Sequence, residues 1–304
     1  MKRRDVLRLL AMSAAAIGGA RVAPSYAVAA PMLMRRIPSS GEMLPAIGLG
    51  TWRTFDVGAG PAERAPLEEV LAGFVALGGK LIDSSPMYGR SEEVAGDTAA
   101  RLGLRSQLFI ATKVWTQGKN AGIRQMEQSM QKLRAQPIDL MQVHNLVDVD
   151  THLDTLQEWK RAGRVRYIGV THYTASSHDE VARVLAARRL DFIQINYSAG
   201  ERQAERRLLP LAQESGVAVI ANRPFAGGEV FRRLRDRPLP AWAAEIECDS
   251  WAQLLLKFVI GHPAVTCAIP ATSKLAHLRD NMNAGTGRMP DERLRAKIAA
   301  EFGT

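Results

Sequence analysis

The chain predicts a (β/α)8 barrel. Eight short runs rich in Val and Ile recur between residues 46 and 272, separated by longer stretches with the apolar spacing of an amphipathic helix. Strands joined by helical crossovers lie parallel, and eight such units close into a barrel more naturally than they stay open. An open doubly wound sheet is the alternative. It usually carries a glycine-rich phosphate turn after its first strand, whereas Gly48-Leu49-Gly50 here leads into Thr51-Trp52-Arg53 and not into a helix start.

The elements follow in order. AIGLGTW (46–52) reads as the first strand, and LEEVLAGFVALGG (67–79) as the helix that returns the chain, closed by glycine beyond its last apolar position. KLIDSS (80–85) and LFIATKV (108–114) are the second and third strands; AGIRQMEQSMQKLRA (121–135) has helical spacing and precedes the fourth, IDLMQVHN (138–145). HLDTLQEWKRAG (152–163), again ending on glycine, leads to the fifth strand VRYIGVTHY (165–173), and SHDEVARVLAARR (177–189) to the sixth, FIQINYS (192–198). VAVIANRP (217–224) and VTCAIPAT (265–272) complete the eight.

The chain has 304 residues, 46% of them apolar, and no run of eighteen uninterrupted apolar positions, so a globular body without a stable membrane anchor is expected. A barrel of about 250 residues or more forms one domain, here residues 30–304. Residues 1–29 are set apart by a basic start (Lys2, Arg3, Arg4), a moderately apolar stretch from Val6 to Ala20 and small residues near the end, the layout of a cleaved export signal. Arg3-Arg4-Asp5-Val6-Leu7-Arg8 resembles a twin-arginine signal, which implies the twin-arginine export machinery as a partner in transit, a cut after Ala27-Val28-Ala29 and a periplasmic location. That segment holds five of the basic residues against Asp5, so the formal charge of +9 falls to +5 without it. The body is mildly basic and has no basic run interleaved with aromatics, so nucleic acid is not an expected partner. Cys248 and Cys267 are the only cysteines and lack metal-ligand spacing; Cys267, in an apolar strand-like run, reads as a buried thiol. No metal is expected.

Active sites of barrels sit at the carboxyl ends of the strands. Asp83 ends the second strand, Lys113 the third and His144 the fourth, at intervals of 30 and 31 residues, and Tyr88 lies in the loop just beyond Asp83. Taken singly, each has a structural role open to it: a turn-capping carboxylate, an amphipathic plug, a snorkelling lysine, a rim histidine. Together, titratable residues ending three successive strands make a poor core and a good site. A free tyrosine keeps its proton up to a pKa of about 10, and Lys113 is the cation that can favour the phenolate.

The segments GGKLIDSSPMYGRSEE, LFIATKV, DLMQVHN, GRVRYIGVTHY, FIQINYS and AIPATSKLAHLRDNMNA follow, in order, the motifs of the aldo-keto reductases, and the chain from about Arg36 onward resembles that family. The resemblance places the family's catalytic tetrad on Asp83, Tyr88, Lys113 and His144. It implies reduction of a small-molecule carbonyl with NADPH, NADH being a second donor, with Tyr88 as the proton donor. It further implies that Tyr197 stacks on the nicotinamide, that Thr171, His172 and Gln194 lie near its carboxamide, and that Thr272, Ser273, Lys274, His277 and Asn281 serve the rest of the cofactor. Trp52 and Trp115 would wall the substrate pocket. Thr171-His172 departs from the common Ser-Asn pair, and Ala271 and His277 replace the lysine and arginine that grip the 2′-phosphate of NADPH in many members. The chain ends soon after its last helix, which implies an open pocket and broad carbonyl acceptance. Two other functions fit the same residues: a non-catalytic nicotinamide-binding sensor, and an aldol-type enzyme with Lys113 as Schiff-base lysine, against which the neighbouring Asp83 argues.

Overall fold

The computed structural model describes residues 31–302, so the expected export signal lies outside the described residues. A hairpin comes first, β1 (Met34–Arg36) antiparallel to β2 (Met43–Pro45). The eight expected runs then appear as β3 (Leu49–Gly50), β4 (Leu81–Asp83), β5 (Phe109–Val114), β6 (Ile138–His144), β7 (Val165–Thr171), β8 (Phe192–Asn196), β9 (Ala218–Asn222) and β10 (Val265–Ala268). All neighbours in the order β3 to β10 pair in parallel. Parallel bridges from Ile47 to Ala268 and from Gly50 to Ala271 join the first strand segment to the last and close the barrel. A Cβ on Gly50 would stand 2.9 Å from the Ile269 carbonyl, so this seam needs a residue without a side chain.

Helices fill the crossovers: α1 (Pro61–Ala76), α2 (Ser91–Arg101), α3 (Lys119–Lys132), α4 (Val149–Arg161), α5 (His178–Ala187), α6 (Leu208–Glu214), α7 (Glu229–Arg233), α8 (Trp251–Ile260), α9 (Leu275–Asn283) and α10 (Glu292–Ala300). In α1 the buried residues Leu67, Val70, Leu71 and Phe74 recur at the spacing of one helical face, which is the stripe laid against the strands. Its start, earlier than the apolar spacing indicates, has proline in the first turn, where the missing N–H is not needed. Side-chain caps fix two later starts: Ser250 accepts from the Gln253 N–H at 3.1 Å and Asp291 from the Leu294 N–H at 2.8 Å.

Two apolar layers result. Outward-facing strand residues such as Ile82, Ile110, Val143, Val170, Ile193 and Ile195 pack beneath the helices. Leu81, Phe109, Ala111, Leu140, Tyr167, Phe192, Ala218, Ile220, Cys267 and Ile269 fill the barrel interior, and Ile37 and Leu44 of the hairpin join them. The hairpin thus plugs the amino-terminal end of the barrel, its Ser40 and Glu42 receiving the Tyr167 hydroxyl at 2.8 and 2.7 Å. The opposite end is left for chemistry.

Candidate active site

Side chains alternate along a strand, so counting upward by two from the apolar interior stays on the inner face. That count takes Leu81 to Asp83, Ala111 to Lys113, Leu140 to Gln142 and His144, Phe192 to Gln194, and Ile220 to Asn222. Apolar residues below and polar ones above therefore share one surface, with the polar layer at the carboxyl ends.

Lys113 and Asp83 are 0% and 2% exposed, and their contact is direct: Lys113 Nζ donates to Asp83 Oδ2 at 2.6 Å and to the Ser84 carbonyl at 2.6 Å. Gln194 Nε2 donates to the other Asp83 oxygen at 2.8 Å, and Gln142 Nε2 adds a longer bond to it at 3.3 Å. A buried pair is tolerable only when the remaining lone pairs are satisfied in this way. Burial pushes the Lys113 ammonium down, but the Asp83 carboxylate and the Tyr88 phenol outweigh it and hold the ammonium above its ordinary value. Bonded to Asp83 at 2.6 Å, Lys113 is not the unpartnered amine that Schiff-base chemistry uses, which argues against the aldol-type alternative.

Tyr88 presents its ring 5.0 Å from Lys113 Nζ. Burial raises the phenol pKa above its ordinary value, Lys113 opposes the rise and Asp83 adds to it. This corrects the expectation that Lys113 leaves the phenol with a lowered pKa: the cation lowers it, but desolvation prevails, so Tyr88 keeps its proton well beyond neutrality. His144 lies with its ring 5.9 Å from that of Tyr88, edge to face. Burial, followed by the Lys113 charge, pushes the imidazole down to about 2, so it is neutral at every working pH. Its Nδ1 is 2.9 Å from Ser85 Oγ, which also accepts from the Met87 N–H at 3.4 Å. Where the Ser85 hydroxyl donates to Nδ1, the imidazole proton stands on Nε2, the nitrogen left for the cavity.

Asp83, Tyr88 and His144 line a cavity of about 620 Å³, with Lys113 buried behind them, and its wall also includes Trp52, Trp115, Thr171, Gln194, Asn222 and part of the loop from Arg223 to Phe231. That size suits a cofactor or a substrate of drug-like dimensions. Three lining residues, Arg53, Asn145 and Arg223, hold left-handed backbone at φ 63°, 52° and 49°. Such strain persists where surrounding structure enforces it, commonly at functional sites.

The model of the Aldo/keto reductase family matches residues 46–297. The chain belongs to the aldo/keto reductase family. Among similar proteins, the methylglyoxal reductase YeaE of Escherichia coli strain K12 is 30% identical over 258 residues, covering 82% of this chain and 89% of that one. The aldo-keto reductase of Klebsiella pneumoniae in complex with NADPH superposes with a TM-score of 0.75 at 26% identity, covering 89% of this chain and 96% of that one. Another Klebsiella pneumoniae aldo/keto reductase, in complex with NADP and acetate, gives 0.71 at 25% identity over 86% and 93% of the two chains.

Not every residue expected at the cofactor reaches this reductase's cavity. Thr171 and Gln194 line it, Thr171 Oγ1 donating to Gln194 Oε1 at 3.3 Å. His172, next in the chain to Thr171, does not; its Nδ1 accepts from the Tyr173 and Thr174 N–H groups at 3.1 and 3.3 Å. Tyr197 is placed on the other side of the strand wall, a correction to the expected stacking partner. It lies an odd number of residues beyond Gln194 and continues the outward series Ile193, Ile195. There it is 0% exposed, packs on Phe258 and His262, donates to Glu205 Oε1 at 2.5 Å and accepts from the Arg295 guanidinium at 2.5 Å. Thr272 to Lys274 follow Ala271, which lines the cavity, and lead into α9; Thr272 Oγ1 accepts from the Lys274 N–H at 3.1 Å, while Ser273, Lys274 and His277 are exposed. Asn281 is buried on α9 and does not line the cavity.

Ser85, Gln142 and Asn222 escaped the sequence reading. The count by two would have found Gln142 from His144 and Asn222 from Ile220. The same count takes Asp83 to Ser85, but the contact with His144 depends on how the loop after β4 turns back towards β6. The cavity also accepts a polar ligand: Asn145 Oδ1 and Asn222 Oδ1 are buried on its wall without a partner among the described residues.

Proposed function

We propose that the protein reduces an aldehyde or ketone to an alcohol with NADPH, and that it does so after export through the twin-arginine route. The observation that carries the chemistry is the convergence of Asp83, Tyr88 and His144 on one cavity at the carboxyl ends of the strands, with Lys113 bonded to Asp83 and set against the Tyr88 ring behind it. When bound there, NADPH supplies the hydride. Asn145 Oδ1 and Asn222 Oδ1 are the wall atoms suited to its amide end, and Thr272, Ser273 and Lys274, beyond Ala271, to its phosphate end.

The protein's own part is proton delivery and orientation. His144, in the tautomer that accepts from the Ser85 hydroxyl at Nδ1, donates its Nε2–H to the carbonyl oxygen and fixes the face presented to the donor. Tyr88, held protonated, passes its proton to that oxygen as negative charge develops on it. The resulting phenolate is met by Lys113, whose charge is already aligned by Asp83 and the Ser84 carbonyl, so little reorganisation is needed during the step. Trp52 and Trp115, each about two-fifths exposed at the mouth, supply apolar walls for the carbonyl's substituent. Because relatives include methylglyoxal reductases, a panel running from methylglyoxal to aromatic aldehydes is the first assay. NADPH consumption dependent on one of these carbonyls is expected; tight NADPH binding with no turnover on any of them would instead support the sensor reading.

Cofactor choice rests on the α9 end. Ala271 and His277 leave Lys274 as the nearby lysine, with the Thr272 and Ser273 hydroxyls beside it. A charge-assisted contact to phosphate is worth about 1.5–3 kcal/mol, so Lys274→Ala should shift the NADPH-to-NADH affinity ratio towards NADH by about tenfold or more. Titration by quenching of tryptophan fluorescence measures both affinities. A strong NADPH preference unaffected by the substitution would place the 2′-phosphate elsewhere.

The location rests on Arg3 and Arg4, followed by the apolar stretch and Ala27-Val28-Ala29. A receptor for a paired guanidinium signal distinguishes it from two ammonium groups, so a variant with both arginines changed to lysine should accumulate as precursor in the cytoplasm. Normal export of that variant would indicate the general secretory route. Export of an already folded protein offers a way to carry bound nucleotide across, and mass analysis of nucleotide released from periplasmic protein tests that directly.

A further inference from the structure

We infer that Asn222 Oδ1 is the acceptor for the carboxamide N–H of the nicotinamide, an assignment that rests on the NADPH-dependent reading above. Asn222 ends β9 on the inner face, lines the cavity and is 9% exposed. Its amide nitrogen donates to the His172 carbonyl at 3.2 Å and makes a longer contact with Gln194 Oε1 at 3.4 Å. A backbone carbonyl can only accept, so the contact with His172 fixes which end of the amide is nitrogen. Oδ1 is then turned away from both partners and is buried with no donor among the described residues.

The neighbouring amide that the sequence reading put at the carboxamide is already committed. Gln194 Nε2 donates to Asp83 Oδ1 at 2.8 Å and to Gln142 Oε1 at 3.3 Å, while Gln194 Oε1 receives Thr171 Oγ1 at 3.3 Å and Asn222 Nδ2. Recruiting it would loosen the network that holds Asp83 against Lys113. Asn145 Oδ1 is the other buried oxygen without a donor on this wall, but no side-chain hydrogen bond among the described residues orients its amide. Asn222 therefore combines a fixed orientation with an unsatisfied acceptor. A buried acceptor without a donor is costly, so a ligand that supplies one is favoured over an isosteric ligand that does not. At its reactive end the nicotinamide offers such a donor in its carboxamide NH2 group.

The 3-acetylpyridine analogue of NADP+ replaces the amide nitrogen by a methyl group and keeps the rest of the molecule. Affinities of NADP+ and this analogue are to be measured by quenching of tryptophan fluorescence for the wild-type protein, Asn222→Leu and Asn222→Ala, with thermal melts confirming that each variant is folded. Wild type should prefer NADP+ by about fivefold or more, and the preference should fall to near unity in both variants. The wild-type comparison stands even if the leucine variant does not fold. Equal binding of the two nucleotides by wild type, or a preference that survives in either variant, overturns the assignment alone. Wild-type protein that binds neither nucleotide overturns the NADPH-dependent reading and this assignment with it.

Discussion

Tyr88→Phe is expected to lower the rate of carbonyl reduction by about 10²–10⁴-fold, the range for loss of a positioned general acid, while nucleotide affinity stays nearly unchanged. The substitution removes one hydroxyl and almost no volume, and the edge-to-face contact with His144 at 5.9 Å needs only the ring. The pH profile should carry the same signature. Burial holds the phenol above its ordinary value and His144 titrates only at about 2, so neither group changes charge across the neutral range. In the wild type, kcat/KM should therefore show no basic limb from this tyrosine until the pH passes the ordinary tyrosine value of about 10. Wild-type turnover by Tyr88→Phe on a panel of aldehydes would show that another group delivers the proton.

Lys113→Met should damage both activity and stability, and the two losses should be separable. Without the ammonium, the phenolate formed on proton transfer has no adjacent cation, so reduction should fall by at least about 10²-fold. The same change leaves Asp83 as a buried carboxylate without a counter-charge, which typically destabilises by about 3–5 kcal/mol. Asp83→Asn in the Lys113→Met background removes that charge while keeping an oxygen to accept from Gln194 and Gln142. The double variant should regain much of the melting temperature lost by the single one and none of its turnover. Recovery of activity together with stability would mean that Lys113 acts only by supporting the fold.

The fold was legible because its signal is local and repeated. Each run such as LFIATKV or FIQINYS carries its own strand pattern, and the helices between them show their buried stripe in the spacing of Leu67, Val70, Leu71 and Phe74. The β1–β2 hairpin was not read, since its strands are three residues each and too short to show a period. Most of the site was equally legible: Asp83, Lys113 and His144 each sit at a strand end, and the barrel rule turns that position into convergence. Tyr197 shows the limit of matching by motif. Its place beside Gln194 in FIQINYS drew it towards the cofactor, whereas strand alternation sends it to the helix layer, against Phe258 and beneath Arg295.

The sequence by itself determined the order of strands and helices and the placing of Asp83, Lys113 and His144 at the ends of successive strands, because these follow from spacing along the chain. The tertiary structure alone decided how those groups behave. The protonation of Tyr88 depends on how far burial outweighs Lys113, the hydrogen bond on His144 Nδ1 depends on Ser85 reaching across from another strand's loop, and the open acceptor on Asn222 depends on where His172 and Gln194 stand. Desolvation and hydrogen-bond competition are set by neighbours far apart in the chain, and no local pattern encodes which neighbour arrives.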